Sequence, residues 1–289
     1  MNIERVKQIL SSISKVSVAV YGDFSLDAYW MLDPRGGEIS VETGLKANAV
    51  ARHYYSLGGA SNIVANVMAL KPKSCRVFGV IGNDIFGREL TRQLQQLNVD
   101  TAGLIVQQEN FDTYVFGKPY IGTQEKPRID FGFFNRRSEE TDELIISNLR
   151  KAMKETDVLI FNQQVPGSIN NESFIAASNE LFNEFRNKLI ILDSRHYSSS
   201  FANIYRKTNA VEAARLCGAE ARYGDIIPLE NAKKYASELY SKTQKAVFIT
   251  RGNRGLIVAD STGAHEIPGI QLLKKIDTVG CGDTTLSAI

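Results

Sequence analysis

A mostly parallel α/β sheet with helices on both faces and a small β lid is the fold this sequence predicts, and three observations predict it. Apolar runs fall at Arg76–Ile81, Val158–Phe161, Leu189–Asp193, Ala246–Thr250 and Leu256–Ala259, several nearly unbroken, as in strands covered on both faces. Helical patterns lie between them, and strands alternating with helices are what build such sheets. Two stretches, 28–57 and 109–135, follow neither rhythm and read as extended or hairpin excursions from the main sheet.

In chain order, Ile3, Val6, Ile9, Leu10 and Ile13 recur at helical spacing, and Val16 to Tyr21 then reads as a strand ending in Gly22-Asp23. Helical patterns follow at Ala60–Leu70, Gly87–Leu97, Asp142–Lys154, Ser173–Arg186, Val211–Cys217 and Leu229–Lys242. The second excursion carries Tyr114, Phe116, Tyr120, Phe131, Phe133 and Phe134 around a Gly122-Thr123 turn. In open α/β sheets ligands sit beyond the carboxyl ends of the strands, so two excursions from that edge can form a lid over them. The aromatic residues can equally be the buried face of a small sheet.

Composition limits the function. With 289 residues, 43% hydrophobic and 23% charged, the chain can bury a large core as one domain with a small appendage. Lys and Arg number 34 against 32 Asp and Glu, and no basic block stands out, which argues against nucleic acid as a partner and for small ligands. The first residues, MNIERVKQILSSISK, lack the apolar core of a signal peptide, and no stretch approaches a membrane span, so a cytoplasmic location is expected. Cys75, Cys217 and Cys281, with His53, His196 and His265, are too scattered to draw a disulfide frame or a metal-ligand spacing. The acceptor pattern Asn171-Glu172-Ser173 is a chance match without an export signal.

Three segments carry chemistry. Gly280-Cys281-Gly282-Asp283 leads into a helical pattern; glycines let amides approach a ligand, and a helix N-terminus adds unpaired donors, which together make an anion site. Asp283 then stands where a carboxylate can take a proton from an attacking hydroxyl, although Asp and Gly also start ordinary capped helices. Gly58-Gly59-Ala60-Ser61-Asn62 opens a helix with a tight turn, and Asn62 is placed to bond sugar hydroxyls. Gly79 to Gly87 contains three glycines, Gly79, Gly82 and Gly87, without the G-x-G-x-x-G spacing, which excludes a dinucleotide loop.

Taken together, YGDFSLDAYW, GGASNIVANVMAL, GVIGNDIFGREL, TNAVEA, ITRGNRGLIV and DTVGCGD, in that order along nearly the whole chain, resemble the ribokinase-like (PfkB) family of sugar kinases. The resemblance implies a three-layer ribokinase-like fold over 1–289 with 28–57 and 109–135 as its β lid, and ATP with magnesium as cofactors. It implies Asp283 as catalytic base, the Gly280, Cys281, Gly282 and Asp283 backbone as anion hole, and Asp27, Gly58, Gly59 and Asn62 as the sugar side. Asn209 and Glu212 match the element that organises magnesium, through its waters, and the nucleotide phosphates; the same pair also reads as a helix cap. Thr250, Gly252 and Gly255 match the nucleotide-side loop, and Arg251 beside them meets either phosphate or solvent.

Within the family, GDFSLDAYW, GGEISVETGLKANAV and PRIDFG are most similar to bacterial heptose-7-phosphate kinases of ADP-heptose synthesis. Departures are Val41 for the usual proline, Glu38 for the arginine, and NQQVPGS for the tyrosine–glycine–lysine loop. A sugar phosphate acceptor would pair with Lys118 and Arg128. Family members continue past the second signature, whereas this chain stops six residues after Asp283, which reads as a cut. The expected function is phosphorylation of a sugar or sugar-phosphate hydroxyl, with a catalytically silent sugar-binding or regulatory module as the alternative. The apolar second excursion leads to the expectation of a homodimer through paired lids.

Overall fold

The computed structural model describes residues 3–169, 171–270 and 279–289. Asp277 and Thr278 of the second signature lie outside the described residues. Fourteen strands are seen among them: β1 Ser17–Gly22, β2 Phe24–Asp33, β3 Ala49–Gly59, β4 Ser74–Gly82, β5 Asp100–Gln107, β6 Tyr114–Ile121, β7 Gln124–Glu125, β8 Ile129–Phe131, β9 Val158–Gln163, β10 Leu189–Ser194, β11 Tyr205–Asn209, β12 Val247–Thr250, β13 Leu256–Asp260 and β14 Gly263–Ile267. The helices are α1 Ile3–Ile13, α2 Ala60–Ala69, α3 Ile85–Gln96, α4 Glu139–Met153, α5 Glu172–Glu184, α6 Ala210–Leu216, α7 Leu229–Thr243 and α8 Cys281–Ala288.

Nine strands form one sheet in the order β14-β13-β12-β11-β10-β9-β1-β4-β5. Pairing is parallel from β5 to β12 and antiparallel at β12/β13 and β13/β14. All six residues of β1 are buried, because the sheet is covered on both sides. Val18 and Val20 face α2 and α3 with Ile63, Val64, Leu90 and Leu94, while Ala19 and Tyr21 face α4 and α5 with Leu149, Phe161, Phe174 and Phe182. That two-sided burial is why the strand reads as an unbroken apolar run.

The chain leaves β1 toward β4 and β5, then returns to add β9 on β1's other side. The C-terminal ends of β1 and β9 therefore bound a topological switch point, where such sheets open a crevice. Asp23, immediately after β1, closes the bottom of that crevice. Its Oδ2 accepts the amides of Gln164 at 2.7 Å and Val165 at 2.8 Å beyond β9, and its carbonyl accepts Ala60 N at 3.1 Å from the head of α2.

A second sheet stands over this edge, ordered β3-β2-β6-β7 with β8 also on β6. Its strands begin closer to the main sheet than the excursion boundaries drawn from the sequence: β2 starts at Phe24 and β3 runs to Gly59. The Gly122-Thr123 turn joins β6 to β7, with Gly122 at φ 58°. One face of the sheet, with Leu26, Ala28, Trp30, Tyr55 and Val115, packs into the core on the α2 and α3 side. The opposite face carries Asp27, Tyr29 and Lys118 toward open space.

Three strands escape the sequence reading. The β5 segment starts on Asp100 and contains Gly103, β14 is largely exposed, and β11 is polar by composition yet has Arg206, Lys207 and Thr208 buried. Its cations are tolerated inside because each is bonded: Arg206 to the Ser198 and Phe201 carbonyls, Lys207 to Asp193. Burial without a carboxylate partner draws the Arg206 guanidinium down to about 10.

Removing the Asp23 carboxylate strands the two amides beyond β9. Asp23→Ala is expected to lower stability by about 3 kcal/mol, read as a fall in urea midpoint at unchanged slope. Asp33→Ala, which removes a partner of the exposed Arg35, is expected to leave the midpoint where it is.

Candidate active site

The crevice widens under the second sheet into a cavity of about 780 Å³, lined among others by Asp27, Asn62, Lys118, Arg128, Arg195 and Asp283. Of the residues singled out in the sequence, Asp27, Gly58, Gly59, Asn62, Gly280 and Asp283 meet on its wall. Cys281 and Gly282 continue the same helix start, whereas Asn209, Glu212, Thr250, Gly252 and Gly255 stand further along the sheet edge, outside this cavity.

Two helix heads meet here. Gly59 precedes α2 at φ 50° and ψ −131°, and a Cβ there would come within 2.6 Å of the Asp23 carbonyl, so only glycine makes this turn unstrained. The turn points Asn62, in the first turn of α2, at α8. Its Nδ2 donates to Asp283 Oδ2 at 2.8 Å, a link between residues 221 apart in the chain. A Cβ on Gly280 would lie 2.9 Å from that same Nδ2, which explains the glycine there.

The α8 helix starts at Gly280 in the left-handed region, φ 80°, with no side chain capping its first amides. Asp283, placed where an acid could fold back as a cap, instead turns to Asn62, leaving the helix head as a set of donors aimed outward. Beneath it sits a cation that the sequence reading missed. Lys207 Nζ pairs with Asp193 Oδ2 at 2.7 Å, both buried, and a Cβ on Gly282 would approach that Nζ to 3.2 Å. The helix head and the ammonium together favour negative charge at this spot.

Electrostatics at Asp283 follow from this setting. Burial raises its carboxyl above the ordinary range, the Asn62 bond and the charges of Lys207 and Arg195 pull it back down, and Asp27 raises it. Burial likewise raises Asp193 despite the lowering effect of Lys207.

On the nucleotide-side candidates, Asn209 and Glu212 form a reciprocal capping box: Asn209 Oδ1 accepts Glu212 N at 2.9 Å, and Glu212 Oε2 accepts Asn209 N at 3.0 Å and Thr208 Oγ1 at 2.9 Å. Glu212 Oε1 has no bonding partner among the described residues, and these contain no cluster of three acidic, His or Cys groups that could cage a metal. The donor set suits an ion that keeps its waters, as magnesium does, with one carboxylate oxygen behind them. Gly252 and Gly255 turn at φ 60° and 92° around a short 3-10 segment after β12, and Thr250 Oγ1 reaches the Thr208 carbonyl at 3.4 Å.

Three of the basic residues singled out in the sequence are paired with carboxylates. Lys118 bonds Asp27 at 2.9 Å, and Arg128 grips Asp130 at 2.7 Å, so both cations proposed for a substrate phosphate already hold carboxylates. Arg251 is not solvated; its buried guanidinium pairs with Glu266 at 3.0 Å. Arg195 was passed over, although a basic residue directly after the apolar run Leu189–Asp193, at the ligand edge, is the signal that finds it.

The doubly wound sheet with a second small sheet over its ligand edge defines a class, the ribokinase-like α/β proteins. Ribokinase from Thermotoga maritima superposes with a TM-score of 0.66 at 20% identity, covering 94% of this chain and 86% of that one. Phosphofructokinase-2 from Escherichia coli, in complex with substrates and products, gives 0.67 at 17%, covering 95% and 84%. At the level of sequence, residues 17–289 match the description "pfkB family carbohydrate kinase", and the chain belongs to that family. Among curated proteins, the bifunctional protein HldE of Wolinella succinogenes is 29% identical over 291 residues, covering 97% of this chain and 57% of the relative. HldE of Caulobacter sp. is 29% identical over 286 residues, covering 96% and 55%. The chain thus spans little more than half the length of these relatives. No described helix is long and apolar enough to cross a membrane.

Carboxyl NMR tests the electrostatic setting directly. Asp283 is expected to titrate above the ordinary value of about 3.9, and higher still in Asn62→Ala, which removes the bond that favours the ionised form. A midpoint at or below the ordinary value would contradict this account of its surroundings.

Proposed function

We propose that the chain transfers the γ-phosphoryl group of ATP to a hydroxyl of a sugar or sugar phosphate. The observation that carries this reading is the half-buried Asp283 carboxylate, held by Asn62 at the head of an uncapped helix and facing the cavity. A hydroxyl near Asp283 has its proton acceptor and an anion-favouring helix head within one site. Asp27 and Asn62 orient the acceptor by hydrogen bonds, and Gly58 and Gly59 keep the wall bare of side chains so that it can approach.

ATP with magnesium would supply the phosphoryl group and neutralise its charge, with Asn209, Glu212, Thr250, Gly252 and Gly255 on the nucleotide side. The Gly280, Cys281, Gly282 and Asp283 amides offer donors to the phosphoryl oxygens, and Lys207 adds charge from below. A heptose 7-phosphate is the preferred acceptor, supported by the N-terminal motifs and by the HldE relatives. The segments 28–57 and 109–135 act as the lid over it.

The test is magnesium-dependent ADP release against heptose, hexose and pentose phosphates and nucleosides, using the protein at its natural length. Turnover with a sugar phosphate is expected; silence across the whole series returns the chain to a non-catalytic sugar-binding role. Asp283→Asn keeps size and bonding capacity but removes the base, so kcat is expected to fall by about 10²- to 10⁴-fold with little change in sugar affinity. The acid limb of kcat should also lie above the ordinary carboxylate range, because the raised Asp283 must lose its proton before it can act.

Assembly through the second sheet belongs to the same proposal. Ile39, Val41 and Leu45 next to β3, and Phe133 and Phe134 after β8, are exposed apolar side chains on one appendage, which favours covering by a second copy. Light scattering is expected to give a dimer, and mutation of Val41 and Phe134 to Asp is expected to yield monomer; a wild-type mass that stays monomeric at all concentrations removes the dimer.

A further inference from the structure

We propose that Arg195 is a catalytic residue that holds the phosphoryl group during its transfer, an inference that rests on the phosphotransferase reading above. Arg195 follows β10 directly and lines the same cavity as Asp27, Asn62 and Asp283. Among the described residues no carboxylate or carbonyl takes its guanidinium. Three other cations of this region among the described residues are engaged: Lys118 on Asp27, Arg128 on Asp130 and Lys207 on Asp193.

Its backbone, by contrast, is firmly held. Arg195 N donates to the Gln163 carbonyl at 3.0 Å, His196 N to Gln163 Oε1 at 3.1 Å and Tyr197 N to Ser194 Oγ at 3.0 Å, while Ser194 Oγ donates to Gln163 Oε1 at 2.8 Å. Gln163 and Ser194 are both buried, so these bonds tie the turn after β10 to the end of β9. A cation anchored at its backbone and exposed at its head trades no internal partner when it meets a ligand. The side chain itself is exposed, and the turn beneath it is what is fixed.

Strand order says which ligand passes it. The acceptor residues hang from β2, β3 and α2, which the chain places at the end of β1, and the nucleotide candidates follow β11 and β12, with β9 and β10 between β1 and β11. Neighbouring strands lie about 4.8 Å apart, so β1 and β11 are separated by about 14 Å and β10 stands about 5 Å from β11. A phosphoryl group moving from one half to the other therefore crosses in front of β10. The charge of Arg195 is already felt at Asp283, whose carboxyl it lowers.

In the step, the acceptor oxygen bonds to the γ phosphorus as the bond to the β–γ bridging oxygen breaks. ADP leaves with that electron pair, and the hydroxyl proton passes to Asp283. Charge spreads over the three equatorial phosphoryl oxygens, where the planar guanidinium can donate two N–H groups at once.

The test compares wild type with Arg195→Gln, Arg195→Ala and Arg195→Lys in the full chain, using ATP, magnesium, and sugars with and without a phosphate. The Gln and Ala variants are expected to lose about 10²- to 10³-fold in kcat with every accepted sugar. ADP affinity by calorimetry should stay within about twofold, Arg195→Lys should keep an intermediate rate, and added guanidinium should restore part of the Arg195→Ala turnover but none in wild type. A kcat within about threefold of wild type overturns the inference while leaving the kinase reading intact. So does a loss confined to the KM of phosphorylated acceptors, which assigns the guanidinium to the acceptor's own phosphate. A wild type silent with every acceptor removes the kinase reading and this inference with it.

Discussion

The arrangement of the site hangs on one buried carboxylate. Asp23 has its side chain bonded to the loop after β9 and its carbonyl bonded to the first amide of α2, so three chain segments converge on a single residue. Burial raises its carboxyl, and the two amides it accepts work the other way. The crevice at the switch point needs such a tie, because the ends of β1 and β9 carry loops that diverge to opposite sides of the sheet. Gly59 fits against the Asp23 carbonyl, α2 starts where that fit allows, and Asn62 is thereby delivered to Asp283.

The C-terminal edge of the main sheet concentrates charges that would be costly elsewhere. Asp23, Asp193 and Asp283 are each raised by burial, and Lys207 shares the same region in contact with Asp193. A protein optimised for stability alone would gain by replacing such groups with apolar ones. Their gathering at the open end of the sheet, beside two helix heads, is what a site for transferring a highly charged group requires.

The main sheet and its covering helices were legible in the sequence because β1, β4, β9 and β10 each carry a nearly unbroken apolar run, a pattern that two-sided burial produces. The strand β11 was not, since Arg206 and Lys207 read as surface residues until the carbonyls and the carboxylate that receive them are known. The glycine-framed helix heads were legible for the same reason that they are constrained: Gly59 and Gly280 occupy backbone regions that other residues enter only under strain. The ion pairs were not legible. Nothing near Arg251 in the chain points to Glu266, 15 residues on, and nothing near Lys118 points to Asp27, because such partners are chosen by strand pairing. Asn209 and Glu212 show a motif read correctly at the level of local structure, a capping box, whose further role depends on a ligand.

The junction between the two sheets is unusually short. Only Asp23 separates β1 from β2, and β3 passes into α2 with no residue between Gly59 and Ala60. On this side the second sheet is therefore not a flap on a loose hinge; it is joined to the main sheet at the candidate site itself. A tilt of its outer end must be absorbed as rotation about Asp23 and Gly59, the residues that set Asp27 and Asn62. Contact made by a ligand or a neighbouring subunit at the far tip, near Ile39 and Val41, is mechanically in series with the Asn62–Asp283 bond.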